Sequence, residues 1–503
     1  MPELLLAVDQ GTTGTTCVVV TADGAVRGRG YREHPQRFPA PGLVEHDPEA
    51  IWRTVLVATS EALAAANATP LDLAGIGITN QRETVVCWDA TTGRAVGPTI
   101  VWQDRRTAER CAALRDAGHA PRVREITGLP IDPYFSGTKV EWLLRNDADV
   151  RALAAAGTLR IGTIDSWLVH RMSGGAAHVT DASNAARTLL FDIHTGTWSD
   201  EMCALLGVDP AWLPAVVASS GHIARADPDS FSGISAPITG IAGDQQAALF
   251  GQACVEPGLA KATYGTGAFV LVNCDGEPPT SAALLSTVAW RIAGRDTFAL
   301  EGSVFTAGAS VQWLRDQMQF VSRSPDIEEL ASSVPDSGGV VLVPAFAGLG
   351  APFWNAEARG ALLGVTRGTS RAHVARATLE AVAFRVKQLV DAMRGEGTDV
   401  TELRVDGGMA ANNLLMQLQA DVLGIPVVRP ANVETTALGA AYLAALGAGL
   451  YESTDAIAAA WRAERTFEPT EGAQITETFA RFEAAVAAVE LFARDTTSYG
   501  AEA

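Results

Sequence analysis

LLLAVDQGTTGTTCVVV, residues 4–20, sets an acidic, Gly/Thr-rich turn between two unbroken apolar runs. Residues 4–8 and 17–20 are apolar throughout, the pattern of strands covered on both faces. Between them stand Asp9, Gly11, Thr12, Thr13, Gly14 and Thr15. Glycine permits a tight turn and bares backbone N–H groups. The threonines add hydroxyl donors, and a lone carboxylate suits a hydrated cation. Such a turn fits the phosphates of a nucleotide. A plain Gly/Thr hairpin with a solvated Asp fits the same residues.

Working outward, LAKATYGTGAFVLVN (259–273) repeats the order of strand, Gly/Thr turn and strand. TYGTGAF beside DQGTTGTTCVV is the trace of an internal duplication without a short fixed period, so two related domains are expected rather than a solenoid. We divide the chain into 1–252 and 258–503, with an insertion at about 104–235 that shapes a substrate pocket. DGGMAANN (406–413) is a third Gly turn after an apolar strand, and each of the three can offer N–H groups to a nucleotide. Elsewhere strands and helices alternate. Asp47-Pro48-Glu49 opens a helix running to about Asn67, with Asp as cap and Pro in the first turn. Residues 85–102 form a hairpin with Thr92-Gly93 at its turn. Segments 158–172, 237–252 and 403–424 each read as strand then helix, and 182–208 as loop, strand and helix. The Ala- and Glu-rich tail from Tyr451 reads as peripheral helix.

Across 503 residues, 48% are hydrophobic and 19% charged, a globular balance large enough for more than one core. The formal charge of −19, with no basic block, argues against nucleic acid as a partner. No apolar run approaches the roughly 20 residues of a membrane span, and MPELLLAVDQ lacks the basic start of a signal peptide. The six cysteines are scattered without CxxC spacing, as in a protein of a reducing cytoplasm.

Two further stretches carry chemistry. GDQQAALFG (243–251) places Asp244 at a strand-to-helix turn, where a carboxylate is either a helix cap or a general base. Phosphoryl transfer to an alcohol needs such a base. Asp9 and Asp244 then divide the work between the metal–phosphate side and the acceptor. NQRETVVCW (80–88) carries Arg82 and Glu83, either a solvated pair or a grip on neighbouring hydroxyls of a small polyol. Trp102, Phe269 and Tyr134 either pack in the core or line that pocket.

DQGTT (9–13), GLVEHDP (42–48), GITNQRET (77–84), IDPYFSGTKVEWLL (131–144), HVTDASNAARTLLFDIHT (178–195), GIAGDQQAALFGQ (240–252), TYGTG (263–267), GLGAPFW (348–354) and RVDGGMAANN (404–413) together resemble the FGGY carbohydrate kinase family, in order and over nearly the whole chain. The resemblance implies an α/β fold of two ribonuclease-H-like (actin/hexokinase-type) domains flanking a catalytic cleft. It implies ATP-dependent, Mg²⁺-assisted phosphorylation of glycerol to sn-glycerol 3-phosphate, in a cytoplasmic homo-oligomer, a dimer or tetramer. A kinase for another polyol or sugar, or an actin-like ATPase scaffold, are the alternatives. By position, Arg82, Glu83, Tyr134, Asp244 and Gln245 resemble the glycerol-binding set, with Trp102 and Phe269 against its carbons and Asp244 as base. Thr12, Thr13, Gly14 and Thr16 resemble the first phosphate loop, and Asp9 the metal-side carboxylate. Thr266, Gly308, Gln312, Gly408 and Asn412 resemble the remaining nucleotide contacts.

Two departures stand out. Many relatives have Ser and Arg where this chain has Gly14 and Thr16, so a cationic phosphate contact is missing. The stretch 222–236, HIARADPDSFSGISA, also lacks the Gly-rich, Arg-ending loop with which some bacterial members bind fructose 1,6-bisphosphate, so little inhibition by that compound is expected.

Overall fold

The computed structural model describes residues 3–470 and 474–499. Strands β1 (Leu4–Gln10) and β2 (Gly14–Thr21) pair antiparallel, with Asp9 opposite Thr16, and β3 (Val26–Glu33) follows on the far edge of β2. Helix α1 (Pro48–Ala66) begins where the Asp47 carboxylate accepts the Glu49 N–H at 2.9 Å. It stops at Asn67, whose φ of 52° is left-handed. Gly28 and Gly30 let α1 settle on β3, since a Cβ at either would run into α1 backbone. The chain returns as β4 (Leu73–Asn80), parallel to β1. Then β5 (Ser220–Arg225) and β6 (Pro237–Gly243) complete a six-stranded sheet in the order β3-β2-β1-β4-β6-β5.

The second sheet is built by the same rule. Its strands are β7 (Leu259–Tyr264), β8 (Ala268–Asp275), β9 (Leu285–Ile292), β10 (Arg295–Val304), β11 (Glu402–Asp406), β12 (Val427–Pro430) and β13 (Ala463–Phe467). Their order is β9-β10-β8-β7-β11-β12-β13. From β10 onward it matches the first sheet strand for strand: an antiparallel trio, two parallel additions and an antiparallel sixth. The echo between the two Gly/Thr turns is thus a true structural repeat, with β9 as an extra edge. Parallel neighbours need a crossover, supplied by α1 in the first sheet and by a later helix, residues Asn413–Leu423, in the second.

Four helices join or cover the sheets: α2 (Asp244–Gly251), α3 (Gly308–Asp316), α4 (Arg371–Gly395) and α5 (Thr435–Gly447). The first core gathers Leu6, Val8, Val19, Ile51, Ile76 and Ile241 between the first sheet and α1. The second gathers Val270, Leu300, Val382, Leu389, Leu403 and Val405 around α4. Between 36 and 163 a smaller five-stranded sheet includes the expected hairpin, Val85–Asp89 with Ala95–Ile100.

Two expectations need correction. The tail is not peripheral: β13 extends the second sheet, and α6 (Gln474–Tyr499) buries Phe482, Val486 and Val489 in the second core. Also, 182–208 opens on a helical turn, Ala182–Ala185, because the Asp181 carboxylate accepts the N–H groups of Ser183 and Asn184.

Helices α2 and α5 cross almost backbone to backbone. A Cβ at Gly439 would overlap the Ala247 carbonyl, and Gly77 and Gly240 give the same room to Ala440 and Ala444. Alanine is the better helix former by about 1 kcal/mol, yet Gly439→Ala should destabilise by about 1–3 kcal/mol or more through overpacking. A lower urea midpoint at unchanged m-value checks this; a midpoint at or above wild type would contradict it.

Candidate active site

Strand β4 delivers Gln81, Arg82, Glu83 and Thr84 to a fully buried corner. The backbone turns sharply there: Glu83 has φ of 63°, and the Thr84 N–H donates to the Arg82 carbonyl at 2.7 Å. Such a three-residue turn is strained for a residue with a side chain and persists only when its surroundings fix it. Ser136 Oγ, donating to the Glu83 carbonyl at 2.9 Å, is one such restraint.

Arg82 is the hub. Its Nη1 donates to Glu301 Oε2 at 2.5 Å and to Gln246 Oε1 at 3.2 Å. Its Nη2 donates to Glu301 Oε1 at 3.0 Å and, at the long limit of 3.4 Å, to the Tyr134 hydroxyl. Its Nε lies 3.1 Å from Asp244 Oδ1 and 3.9 Å from Glu83 Oε1. Arg187 joins the cluster, donating to Glu83 Oε1 at 2.7 Å and Glu301 Oε1 at 3.1 Å. Burial alone would raise the Glu301 carboxyl, but Arg187 and Arg82 outweigh it and hold it at about 2. For Glu83 burial wins over Arg187 and Arg82, and its carboxyl is raised. Glu301 has the larger share of both guanidiniums, which explains the opposite signs. The Arg82–Glu83 pair is therefore not solvated charge.

Asp244 is the first residue of α2, at the end where the helix dipole favours an anion. It does not cap the helix: Gly243 holds that position and no side-chain cap bond forms. Its side chain is 31% exposed, open to the cleft while paired to Arg82. Asp9, at the end of β1, is half-buried. Burial first, then the charges of Asp244 and Glu434, push its carboxyl up to about 7, against a smaller downward pull from Arg29.

The aromatic residues close the pocket. Trp102 meets Tyr134 edge-on at 5.6 Å between ring centres, and its Nε1 donates to Thr12 Oγ1 at 2.9 Å. The Trp102 ring is thereby tied to the first Gly/Thr turn. Phe269 comes from β8 and shares a sheet face with Lys261 and Glu301, which pair laterally with Leu271 two residues along. Gln245 points to the second half, where its Oε1 accepts from Lys261 Nζ. Burial lowers that ammonium to about 8, although Asp406, Glu301 and Asp244 support its charge.

A cavity of about 390 Å³ opens in the second half, and Thr266, Gly308, Gln312, Gly408 and Asn412 all line it. Val311, Pro325, Ile327 and Met409 give it apolar walls. The turn at 265–267 is closed by Gly265 N–H to Gly267 O at 2.8 Å, while Thr266 O receives the N–H groups of Ala307 and Ala309. Only glycine fits at 308, because a Cβ there would lie 2.5 Å from the Gly265 carbonyl. Asn412 spends its Oδ1 capping the helix at Leu415 N, at 2.8 Å. A second cavity of about 630 Å³, lined by Asp406, Gly408, Ala411 and Glu434, shares Gly408 and Ala411 with the first.

In the first turn Gly11 N–H donates to Gly14 O at 2.9 Å, and Thr13 is exposed. Gly14 is filled from outside: a Cβ there would come within 2.8 Å of the Tyr31 ring. Thr16 is half-buried in the row Asp9–Thr16–Tyr31. Arg29, two residues along β3, is paired with Glu434 at 2.9 Å. Thr16→Arg would add a cation beside Asp9 on the cleft row. It should lower the KM for ATP about tenfold or more, the worth of a charged hydrogen bond; initial-rate kinetics check it, and an unchanged KM would contradict it.

Sequence reasoning missed Arg187, Glu301, Gln246 and Lys261. The available signal was a lone charge inside an apolar strand, as in FALEGSV for Glu301 and LAKATY for Lys261.

Two like-built halves, one with a cavity of about 390 Å³ lined by its Gly turns and the other with a buried Arg82–Glu83 cluster beside the open carboxylate of Asp244, give the frame of an actin-like kinase. The profile of the FGGY family of carbohydrate kinases matches with its N-terminal domain at residues 4–251 and its C-terminal domain at 260–448. The chain is 56% identical to a glycerol kinase of Aromatoleum aromaticum, over 92% of this chain and 94% of that one. It is 54% identical to one of Myxococcus xanthus, over 92% and 95%. The crystal structure of Plasmodium falciparum glycerol kinase with ADP superposes with a TM-score of 0.90 at 32% identity, covering 97% and 98% of the two chains. A xylulose kinase from Rhodospirillum rubrum shares the fold, with a TM-score of 0.87 at 23% identity over 98% and 100%. This chain belongs to the FGGY family of carbohydrate kinases. Among the described residues no helix is long and apolar enough to cross a membrane.

Proposed function

We propose that the chain transfers the γ-phosphoryl group of ATP to a terminal hydroxyl of glycerol, giving sn-glycerol 3-phosphate and ADP. The observation that carries this is the Arg82–Glu83–Tyr134–Asp244 cluster, with Trp102 packed on Tyr134, in a chain 56% identical to a glycerol kinase. Residues 1–252 act as the substrate lobe and 258–503 as the nucleotide lobe.

Arg82 and Glu83 hold adjacent hydroxyls as donor and acceptor, with the Tyr134 hydroxyl and the amide of Gln245 beside them. Trp102 and Phe269 pack on the carbon chain. Asp244, paired with Arg82 Nε at 3.1 Å, takes the proton of the attacking hydroxyl. Thr12, Thr13, Gly14 and Thr16 face the phosphates from the first lobe, Thr266 and Gly308 from the second. Gln312, Gly408 and Asn412 hold the rest of the nucleotide. Closure of the lobes excludes water that would otherwise compete with glycerol.

The donor set fits Mg²⁺. No cluster of three or more His, Cys, Asp or Glu exists among the described residues to form a protein cage. Mg²⁺, however, is usually held by one or two carboxylates with phosphates and water. Asp9, whose carboxyl is raised by burial first and then by the charges of Asp244 and Glu434, is such a carboxylate. When bound, the ion neutralises charge on the transferring phosphoryl group. The six free cysteines suit a cytoplasmic setting, where ATP is at hand. Exposed Leu362, Leu363 and Val365 offer an apolar surface for the homo-oligomer that the family resemblance implies.

A coupled ADP-release assay with glycerol, erythritol, xylulose and gluconate tests the reading. Glycerol should be preferred, and ADP release independent of any polyol would reject it.

A further inference from the structure

Glu301 sits on β10 of the second sheet, wholly buried, within Phe298–Val304 (FALEGSV), a run otherwise of apolar and small residues. Its carboxylate forks onto both Nη atoms of Arg82, at 2.5 and 3.0 Å, while its Oε1 also receives Arg187 Nη2 at 3.1 Å. A two-point fork fixes a guanidinium's plane as well as its position. With that plane fixed, Arg82 Nε is turned to Asp244 and one Nη2 N–H to the Tyr134 hydroxyl at 3.4 Å. All five N–H groups are thus assigned, and the long Tyr134 contact is the one most readily traded for a substrate hydroxyl.

Stability alone does not account for this arrangement. Burying ions costs desolvation energy, and apolar replacements of similar volume are often as stable. The cluster sets Arg82, Arg187 and Lys261 against Glu83, Glu301 and Asp244 and still leaves Arg187 Nη1 buried without a partner. What the fork does supply is orientation, and it does so across the two halves: Arg82 and Arg187 belong to the first, Glu301 to the second.

We infer that Glu301 is a positioning residue for the acceptor substrate: it aims Arg82 at the hydroxyls of the polyol, so that the substrate grip of the first lobe is completed by the second. This rests on the glycerol-phosphorylating reading. It also names a residue outside the set expected to touch glycerol.

Three proteins test it in the coupled ADP-release assay, each with its melting temperature measured: wild type, Glu301→Asp, and the double variant Glu301→Gln/Arg187→Gln. Aspartate keeps the charge and withdraws the fork. Glu301→Asp should raise the KM for glycerol about ten- to a hundredfold, the loss expected for a charged hydrogen bond. The KM for ATP should stay within about twofold, as for an unlinked site. The double variant removes one anion and one cation together. If Glu301 served only to neutralise Arg187, glycerol KM would return to the wild-type value; if it aims Arg82, KM stays high. An unchanged glycerol KM in Glu301→Asp, equal rises in both KM values, or recovery in the double variant would overturn the inference. Absence of glycerol-dependent ADP release in the wild type would instead remove the reading beneath it.

Discussion

Asp244→Asn is expected to lower kcat by about two to four orders of magnitude, the usual worth of a positioned general base. The amide keeps the shape of the carboxylate but cannot take the hydroxyl proton. Folding should survive, because the side chain is 31% exposed and its ion pair with Arg82 is one of several that Arg82 makes. The KM for ATP should also hold, since the five nucleotide-side residues line a separate cavity. Steady-state kinetics with a thermal melt decides the matter. Activity within tenfold of wild type, in a folded protein, would remove Asp244 from the base role.

Arg82→Met carries the largest combined effect. Methionine fills much of the space but strips Glu301, Glu83 and Asp244 of a shared cation. Losing one partner of a buried pair costs about 3–5 kcal/mol, which should appear as a markedly lower denaturant midpoint. Glycerol KM should rise more than a hundredfold in whatever fraction stays folded, since the proposed mechanism sets this residue against the substrate hydroxyls. Arg82→Lys separates the two effects. It restores the charge but not the fork, so most of the stability should return while glycerol KM stays high. Full recovery of KM by lysine would show that only charge matters.

The elements were legible where local chemistry was strong. Asp47 and Asn67 announced both ends of α1, and the echo of TYGTG announced a repeat that the strand order bears out. The predicted nucleotide contacts in the second half share one cavity; of the predicted polyol contacts, Glu83, Tyr134 and Asp244 gather around Arg82, Trp102 packs on Tyr134, and Gln245 turns to Lys261. Less legible was whatever depends on a partner distant in the chain. Glu301 meets Arg82 across more than two hundred residues, and no spacing rule reaches that far. Arg187 was hidden in a stretch read as loop and strand. The tail misled because its composition speaks for helix, while β13 owes its place to pairing with β12 at the sheet edge. Asp244 shows the reverse: the sequence left cap and base open, and the structure puts Gly243 at the cap position, with the Asp244 carboxylate accepting the Gln245 N–H at 2.7 Å and pairing with Arg82.

Helices α2 and α5 occupy the same place in their respective halves, each following the fifth strand of the common pattern. Each leans on the other half's sheet: Phe250 of α2 meets Trp290 of β9, and α5 lies in the glycine grooves of β4 and β6. This is the arrangement of an exchanged-arm dimer whose two subunits have become one chain. A half produced alone would lack the arm that covers its sheet, which leaves that face of the sheet apolar and open. Joining the two removes the dependence of assembly on concentration. It also frees the arms to diverge: one now begins with Asp244, paired with Arg82 of the first half, the other with Thr435, which donates to Asp406 of the second.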